Sequence, residues 1–257
     1  MIKNSMLESM RAGRPAMGMV LRQSRTVDIG RLMKAADFDF VMLDQEHNSM
    51  SLEQAVQIAV ASQDAGVSPI MRVPKNDFSM ACRALDNGVM GIIMPHIATA
   101  AEATEFVRAC RYPPVGQRSV STLSPQSYFR GTSGSNIVAM VEPAVVLYAL
   151  IESAEGAKNV DAIVATPGLD GILIGPQDLC LDLGIPGNSD DPKVQAIVGD
   201  CIAACKRHGK WIGLGGATGI GRRFANRDMN WLLVASDQAL LLSAATERVK
   251  SLREQVK

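Results

Sequence analysis

A regular alternation of short apolar runs with longer amphipathic segments is the feature that most constrains the fold of this chain. Eight runs of four to seven residues are apolar at nearly every position, which is typical of parallel strands buried on both faces. The runs are Met17–Leu21, Phe38–Leu43, Pro69–Val73, Gly91–Pro95, Val145–Ile151, Gly171–Gly175, Trp211–Leu214 and Trp231–Ala235. The helical patterns between them include Ser51–Ala65, Thr99–Arg111, Lys193–His208 and Gln238–Glu254.

This alternation predicts an α/β fold, the (β/α)8 or TIM barrel, in which eight parallel strands close on themselves. The 257 residues match the usual length of one barrel, and we expect a single domain over residues 1–257. An open doubly wound sheet is the alternative, but no GxGxxG motif follows the first run. The Pro-, Gly- and Ser-rich segment Arg111–Ser135 is longer than an ordinary barrel loop, which is typical of a functional or a disordered segment.

The composition favours a small-molecule partner. Basic and acidic residues both number 26, so the formal net charge is zero, and no basic face suggests nucleic acid or an anionic membrane. No apolar run approaches the ~20 residues that span a bilayer, and the first residues lack the apolar core of a signal peptide, so we expect a cytoplasmic protein. The five cysteines form no CxxC pair, and we expect reduced thiols in the core.

Active sites of such barrels lie at the carboxyl ends of the strands, so polar residues at the ends of the apolar runs are the candidates. These residues are Asp44, Glu46 and His47 at the second run, Arg72 and Asp77 at the third, His96 at the fourth, Glu152 at the fifth, Gln177 and Asp178 at the sixth, and Asp237 at the eighth. We interpret Asp77 and Asp237 as helix caps and His96 as a hydrogen-bonded wall residue.

Glu152 and Asp178 are the candidate metal ligands. Either carboxylate alone could cap a helix, but on consecutive strands of one barrel the two would converge at the same face. Two hard oxygen ligands without cysteine or paired histidines suit Mg²⁺ or Mn²⁺, whose shells water and substrate oxygens complete. A divalent ion there would polarise the ketone of a 2-oxo acid and make its C3 protons acidic.

His47 and Arg72 would complete this chemistry. His47 is the candidate base, because its unperturbed pKa lies near neutrality and a neighbouring carboxylate would orient its ring. Arg72 is permanently charged and rich in donors, which suits stabilisation of a developing oxyanion. The set predicts enolate chemistry, with cleavage or formation of a carbon–carbon bond.

Six segments of the chain, in this order, resemble the HpcH/HpaI aldolase family of class II, metal-dependent pyruvate aldolases. The segments are FDFVMLDQEHNSMSLEQ, IMRVPKND, LDNGVMGIIMPHI, ACRYPPVGQRS, LIES and LDGILIGPQDLCLDLG. The resemblance runs from about Leu7 to the C-terminal helix. It implies reversible retro-aldol cleavage of a 4-hydroxy-2-oxo acid to pyruvate, or a close 2-oxo acid, and an aldehyde.

The resemblance also implies roles for individual residues. Glu152 and Asp178 match the family's metal ligands, which would bind Mg²⁺ or Mn²⁺, with Co²⁺ as a further candidate. His47 matches the catalytic base, and Arg72 matches the arginine that stabilises the enolate and contacts the substrate. Asp44 matches a dyad partner of His47, and Asp86 matches an acid that tunes the same histidine. The segment Gly175-Pro176-Gln177-Asp178 would line the pyruvate carboxylate.

The family assembles as a homohexamer, a trimer of dimers, in which the last helix is exchanged between neighbouring barrels; here Ala239–Val249 could do this. Three departures affect substrate recognition rather than reaction type. Leu150 occupies a substrate-binding position where the family usually has glutamine, Gln45 lies inside the D-x-E-H motif, and Arg118 is followed by Ser119-Val120-Ser121 instead of a glycine-containing motif.

Three alternatives remain open from the sequence. The first is an acyl-CoA carbon–carbon lyase of the citrate lyase β or malyl-CoA lyase type, which strand-end carboxylates would also serve. The second is a phosphate-binding barrel that uses the glycine-rich segment 213–219. The third is a barrel that binds a 2-oxo acid without catalysis.

Overall fold

A closed barrel of eight parallel strands forms the body of the computed structural model, which describes residues 2–130, 133–216 and 228–256. Each strand pairs with the next along the chain, and the last pairs with the first. The strands are β1 (Ala16–Leu21), β2 (Phe40–Asp44), β3 (Ser68–Arg72), β4 (Gly91–Met94), β5 (Val146–Ile151), β6 (Gly171–Ile174), β7 (Trp211–Gly215) and β8 (Trp231–Ser236). The predicted (β/α)8 barrel is therefore confirmed.

Helices connect the strands and cover the outside of the barrel. They are α1 (Ser5–Arg11), α2 (Ile29–Ala35), α3 (Leu52–Asp64), α4 (Phe78–Asp86), α5 (Ala100–Cys110), α6 (Gly134–Val141), α7 (Ala154–Lys158), α8 (Val160–Val164), α9 (Pro176–Asp182), α10 (Pro192–His208) and α11 (Asp237–Gln255), with 3-10 turns at Pro125–Ser127 and Glu142–Ala144. Asp77 caps α4 as predicted, since its carboxylate accepts the Met80 N–H at 2.8 Å. Among the described residues, every helix is too short or too polar to cross a membrane.

Aromatic side chains fill the lower half of the barrel. Trp231 packs against Tyr148 and Phe40, with ring centroids 4.7 and 5.8 Å apart. Gly18 and Gly213 make room for these rings, because a Cβ atom at either glycine would lie 2.1 Å from Phe40 or Trp231. Helix α1 covers the amino ends of the strands with buried side chains of the same cluster. Side chains therefore fill the barrel interior from the amino ends of the strands up to the cavity at their carboxyl ends.

Inward-facing positions recur at every second residue of a strand. The buried cluster inside the barrel contains Ala16 and Val20 of β1, Phe40 and Met42 of β2, Ile70 of β3, and Tyr148 and Leu150 of β5. The next residues in the same phase are Arg22, Asp44, Arg72 and Glu152. The strand pattern therefore directs four charged side chains towards the barrel mouth.

All five cysteines are free thiols, as expected. Four are buried, and Cys82 is half-buried. Burial raises the pKa of Cys201 and of Cys205, the latter to about 12. These two residues on α10 pack as core side chains.

Candidate active site

A cavity of about 380 Å³ lies at the carboxyl ends of the strands. Eight of the predicted site residues line it: His47, Arg72, Leu150, Glu152, Gly175, Pro176, Gln177 and Asp178. Larger grooves of about 490 and 780 Å³ lie elsewhere, lined by residues near the amino ends of strands. Because active sites of such barrels lie at the carboxyl ends, the smaller cavity is the candidate site.

Asp44 is the buried anchor of two arginines. The carboxylate has no exposed side-chain surface; it accepts hydrogen bonds from Arg72 Nε at 3.1 Å and Nη2 at 2.7 Å, and from Arg22 Nε at 2.7 Å. Burial alone would raise the pKa of Asp44, but the two guanidiniums outweigh it and hold that pKa below its ordinary value. Asp44 is therefore a permanent anion that fixes both cations.

A chain of carboxylates and a histidine joins Arg72 to Glu152. Arg72 Nη1 lies 3.1 Å from Glu46 Oε2, and His96 Nε2 lies 3.2 Å from Glu46 Oε1. The other ring nitrogen, Nδ1, lies 2.9 Å from Glu152 Oε1, which also accepts the His96 backbone N–H at 2.8 Å. His96 has φ 55°, a left-handed conformation that non-glycine residues seldom adopt. The backbone thus holds His96 where it bridges two acids.

His47 lies at the rim of the cavity, with 53% of its side chain exposed. Its Nε2 lies 3.8 Å from Glu46 Oε2, whereas Asp44 accepts only the backbone N–H of His47, at 3.3 Å. The predicted dyad contact between the Asp44 carboxylate and the His47 ring is therefore absent, because two arginines already occupy that carboxylate. Glu46 is the carboxylate that faces the ring.

The free oxygens of Glu152 and Asp178 fit a divalent cation. Among the described residues, Glu152 Oε2 and the Asp178 carboxylate accept no hydrogen bond and form no ion pair. Gly175 keeps the space beside them open, since a Cβ atom there would lie 3.1 Å from Glu152 Oε2. No group of three or more His, Cys, Asp or Glu able to hold a metal occurs in the part of the chain that is described. Two carboxylates plus water and substrate oxygens suit Mg²⁺ or Mn²⁺.

Burial raises the pKa of Glu152 to about 7. Hydrogen bonding to the His96 backbone and the charge of His96 lower this pKa in part, while Glu46 and Asp178 raise it. The cause is a carboxyl group deprived of water and placed beside two other acids. A cation between Glu152 and Asp178 would favour the ionised form of both.

Asp86 lies away from this cavity. It is the last residue of α4, and helices of a parallel barrel end near the amino ends of the strands. Arg118 Nη2 donates to Asp86 at 2.7 Å and to Gln126 at 2.9 Å, and the Arg118 guanidinium lies over the Tyr112 ring. The expected contact of Asp86 with His47 is therefore absent within this chain. The described part of segment 111–135 follows α5, so it also lies on the amino side of the barrel.

Ser236, and not Asp237 as predicted, is the N-cap residue of α11; its hydroxyl accepts the Ala239 N–H. The Asp237 carboxylate does accept one N–H of the first turn, that of Gln238, at 2.8 Å. It also accepts the backbone N–H groups of Arg22, Gln23 and Ser24 at 2.7 to 3.0 Å. It thereby ties the loop after β1 to the end of β8.

Similarity to known proteins extends over nearly the whole chain. A 4-hydroxy-4-methyl-2-oxoglutarate aldolase of Chaetomium globosum is 33% identical, and the match covers 95% of this chain and 93% of that protein. A 5-keto-4-deoxy-D-glucarate aldolase of Citrobacter koseri is 36% identical, with 81% of each chain covered. The crystal structure of an HpcH/HpaI aldolase from Desulfitobacterium hafniense superposes with a TM-score of 0.91 at 29% identity and covers 96% of both chains.

The model of the HpcH/HpaI aldolase/citrate lyase family matches residues 19–214. The chain belongs to this family. The family resemblance and the aldolase class, a carbon–carbon lyase, are thereby confirmed. The two relatives named above are aldolases of a 4-hydroxy-2-oxo acid and of a keto-deoxy sugar acid. They favour the aldolase function over the citrate lyase alternative. The glycine-rich segment 213–219 lies partly outside the described residues.

Sequence reasoning assigned no catalytic, metal-binding or substrate-binding role to three residues of this aldolase site: Arg22, Glu46 and His96. Arg22 directly follows the first apolar run, so the same strand-end rule would have found it. Glu46 was visible in the D-x-E-H motif, but its partners come from other strands. His96 was interpreted as a wall residue, and the sequence offers no signal for its left-handed backbone.

We expect His96→Asn to weaken Mn²⁺ binding by about 10- to 100-fold, because outer partners of metal-ligating carboxylates orient them. Asparagine tolerates the left-handed backbone, so the melting temperature should change little. Isothermal titration with Mn²⁺ measures the effect, and His208→Asn, at a surface pair with Asp161, is the matched control. An unchanged Mn²⁺ affinity in His96→Asn would show that His96 does not orient Glu152.

Proposed function

We propose that this protein is a divalent-metal-dependent aldolase that reversibly cleaves a 4-hydroxy-2-oxo acid to pyruvate, or a close 2-oxo acid, and an aldehyde. The observation that carries the proposal is one cavity that brings together the free carboxylate oxygens of Glu152 and Asp178, the arginine Arg72 and the half-exposed His47.

Glu152 and Asp178 would hold Mg²⁺ or Mn²⁺. When bound, the cation supplies Lewis-acid polarisation of the substrate ketone. Gln177 and Asp178 lie in the first turn of α9, where their backbone N–H groups lack intrahelical acceptors and can donate to the carboxylate of the oxo acid; Gly175 N–H already donates to Ile151, and Pro176 has none.

His47 and Arg72 would carry out the bond cleavage. His47 accepts the proton of the C4 hydroxyl, the C3–C4 bond breaks, and its electron pair moves into the enolate while the aldehyde carbonyl forms. A proton then returns to C3 and gives pyruvate. Arg72 donates to Asp44 through Nη2 and is ion-paired with Glu46 through Nη1, and the remaining N–H groups on these two nitrogens stabilise the developing oxyanion.

The test is exchange of the pyruvate methyl protons in D₂O, followed by NMR with Mg²⁺ or Mn²⁺ and again with EDTA. Exchange that requires the metal is the expected result, because it reports enolate formation without any aldehyde. Absence of exchange from folded protein that binds Mn²⁺ would contradict the proposed aldolase and favour a CoA thioester substrate or a barrel that only binds.

We also propose that α11 is exchanged between neighbouring subunits of a homohexamer, a trimer of dimers. None of its residues is buried in the chain, and Leu240, Leu241 and Leu242 are exposed. Contiguous apolar side chains at a surface usually mark an interface. We expect Leu241→Glu to reduce the molar mass measured by light scattering, whereas Glu254→Gln on the same helix should leave it unchanged. A hexamer that survives Leu241→Glu, or a monomeric wild type, would contradict the exchange.

A further inference from the structure

We propose that Arg22 binds a carboxylate on the acceptor part of the substrate, so that this aldolase prefers 4-hydroxy-2-oxo dicarboxylic acids. The inference rests on the proposed aldolase function and adds the class of substrate. It concerns the part of the substrate that leaves as the aldehyde, for which the residues around Glu152 and Asp178 give no information.

The backbone of Arg22 is fixed at the barrel mouth. Asp237 accepts the N–H groups of residues 22, 23 and 24, and Arg25 Nη1 donates to the Arg22 carbonyl at 2.6 Å. Arg25 Nη2 in turn reaches Asn48 in the loop after β2 at 3.2 Å. A guanidinium held on such a supported loop is preorganised for a ligand.

The terminal donors of Arg22 are free. Arg22 uses Nε to hold Asp44, and neither of its Nη atoms forms a hydrogen bond among the described residues. Arg72 differs, since Nε and Nη2 donate to Asp44 and Nη1 lies 3.1 Å from Glu46 in an ion pair. The Arg22 side chain is 28% exposed, against 10% for Arg72, and lines the cavity. Its two terminal nitrogens form the fork that matches a carboxylate.

The position of β1 selects which end of the substrate Arg22 meets. In the closed order of eight strands, β1 lies four strands from β5 in either direction. Glu152 follows β5, so Arg22 and the oxo-acid end of the substrate lie on opposite sides of the mouth. A substrate that spans the cavity therefore presents its C4 substituent to Arg22.

A carboxylate suits this position better than an alkyl group. Apart from Arg22, the lining of the cavity on this side is apolar, with Val20 of β1, Met42 of β2 and Leu233 of β8. An alkyl substituent would remove water from the Arg22 nitrogens and leave them without an acceptor, which costs free energy. A carboxylate would replace that water with a charge-assisted pair of hydrogen bonds.

The experiment compares two substrates that differ only at C4: 4-hydroxy-2-oxoglutarate, with a carboxylate, and 4-hydroxy-2-oxopentanoate, with a methyl group. We expect wild-type kcat/KM to favour the dicarboxylate by at least about 10-fold. Arg22→Gln should lower this ratio by about 10- to 100-fold, the scale of one charge-assisted contact. Arg22→Lys keeps the positive charge but not the pair of terminal nitrogens, so its kcat/KM ratio between the two substrates should be intermediate. Arg31→Gln on α2 is the control, and its ratio should equal that of wild type.

Two results would overturn the inference. One is a wild type that cleaves both substrates equally well; the other is an Arg22→Gln variant that loses the same factor on both, since Arg22 would then serve only to hold Asp44. Failure of the aldolase proposal looks different, because wild type would then cleave neither substrate and would not exchange pyruvate protons with Mn²⁺ present. The inference would fall with it.

Discussion

Glu152→Gln is expected to lower Mn²⁺ affinity by at least about 100-fold and to reduce metal-dependent pyruvate proton exchange to background. The amide keeps the shape of the side chain and still accepts the His96 N–H, but it removes the negative charge that the cation requires. Isothermal titration and NMR exchange measure the two effects. Glu155→Gln, an exposed carboxyl on α7, is the matched control and should behave as wild type.

The same variant should make the metal-free protein more stable. Burial raises the pKa of Glu152 from 4.5 to about 7, so ionisation of this carboxyl between those pH values opposes folding. In EDTA at pH 8, Glu152→Gln should melt at a higher temperature than wild type, and the difference should shrink as the pH falls towards 4.5. A variant that keeps metal-dependent exchange would refute the assignment of Glu152 as a metal ligand. A variant that is destabilised in EDTA at pH 8 would contradict the raised pKa of Glu152.

Arg72→Met is expected to lower kcat by about 10²- to 10³-fold, the usual effect of removing one oxyanion donor. It should also destabilise the protein by about 3–5 kcal/mol, because Asp44 would remain buried with Arg22 as its one cation. Adding Asp44→Asn removes the uncompensated charge. The double variant should recover much of the lost melting temperature but none of the lost activity.

Lys75→Met is the control for Arg72, since Lys75 lies just beyond β3 with an exposed side chain. It should change neither kcat nor the melting temperature measurably. If Arg72→Met with Asp44→Asn regained a normal kcat, Arg72 would be a structural partner of Asp44 and not a stabiliser of the oxyanion.

The barrel could be predicted from the sequence because each strand is marked by its own short apolar run. Each apolar run is long enough to cross the barrel once. Before the strand ends, the buried strands β2 to β6 contain no charged residue, and Ser68 and Tyr148 are their only side chains with polar groups. The strand-end rule then placed Arg72, Glu152 and Asp178 in one cavity. These residues could be found from the sequence since chain direction alone decides that they share a face.

Pairing between side chains was much harder to predict. The expected contact of Asp44 with the His47 ring failed because Arg22 and Arg72, from other strands, compete for the same carboxylate. The expected role of Asp86 came from family resemblance, whereas its place at the end of α4 puts it on the amino side of the barrel. Such contacts depend on register between distant segments, which short motifs do not encode.

The link that Asp237 makes between the loop after β1 and the end of β8 affects the order in which the site forms. The cationic residues and the base come from β1 to β3, whereas Glu152, Asp178 and Asp237 come from β5 to α11. During synthesis, Asp44 can be neutralised by Arg72 on the adjacent strand long before the second half of the chain exists. The loop that carries Arg22 gains its last support when β8 pairs with β1 and Asp237 accepts the N–H groups of residues 22 to 24. Barrel closure therefore completes the site, and a chain that stops before residue 237 would keep its buried Asp44–Arg72 pair without the support of the Arg22 loop.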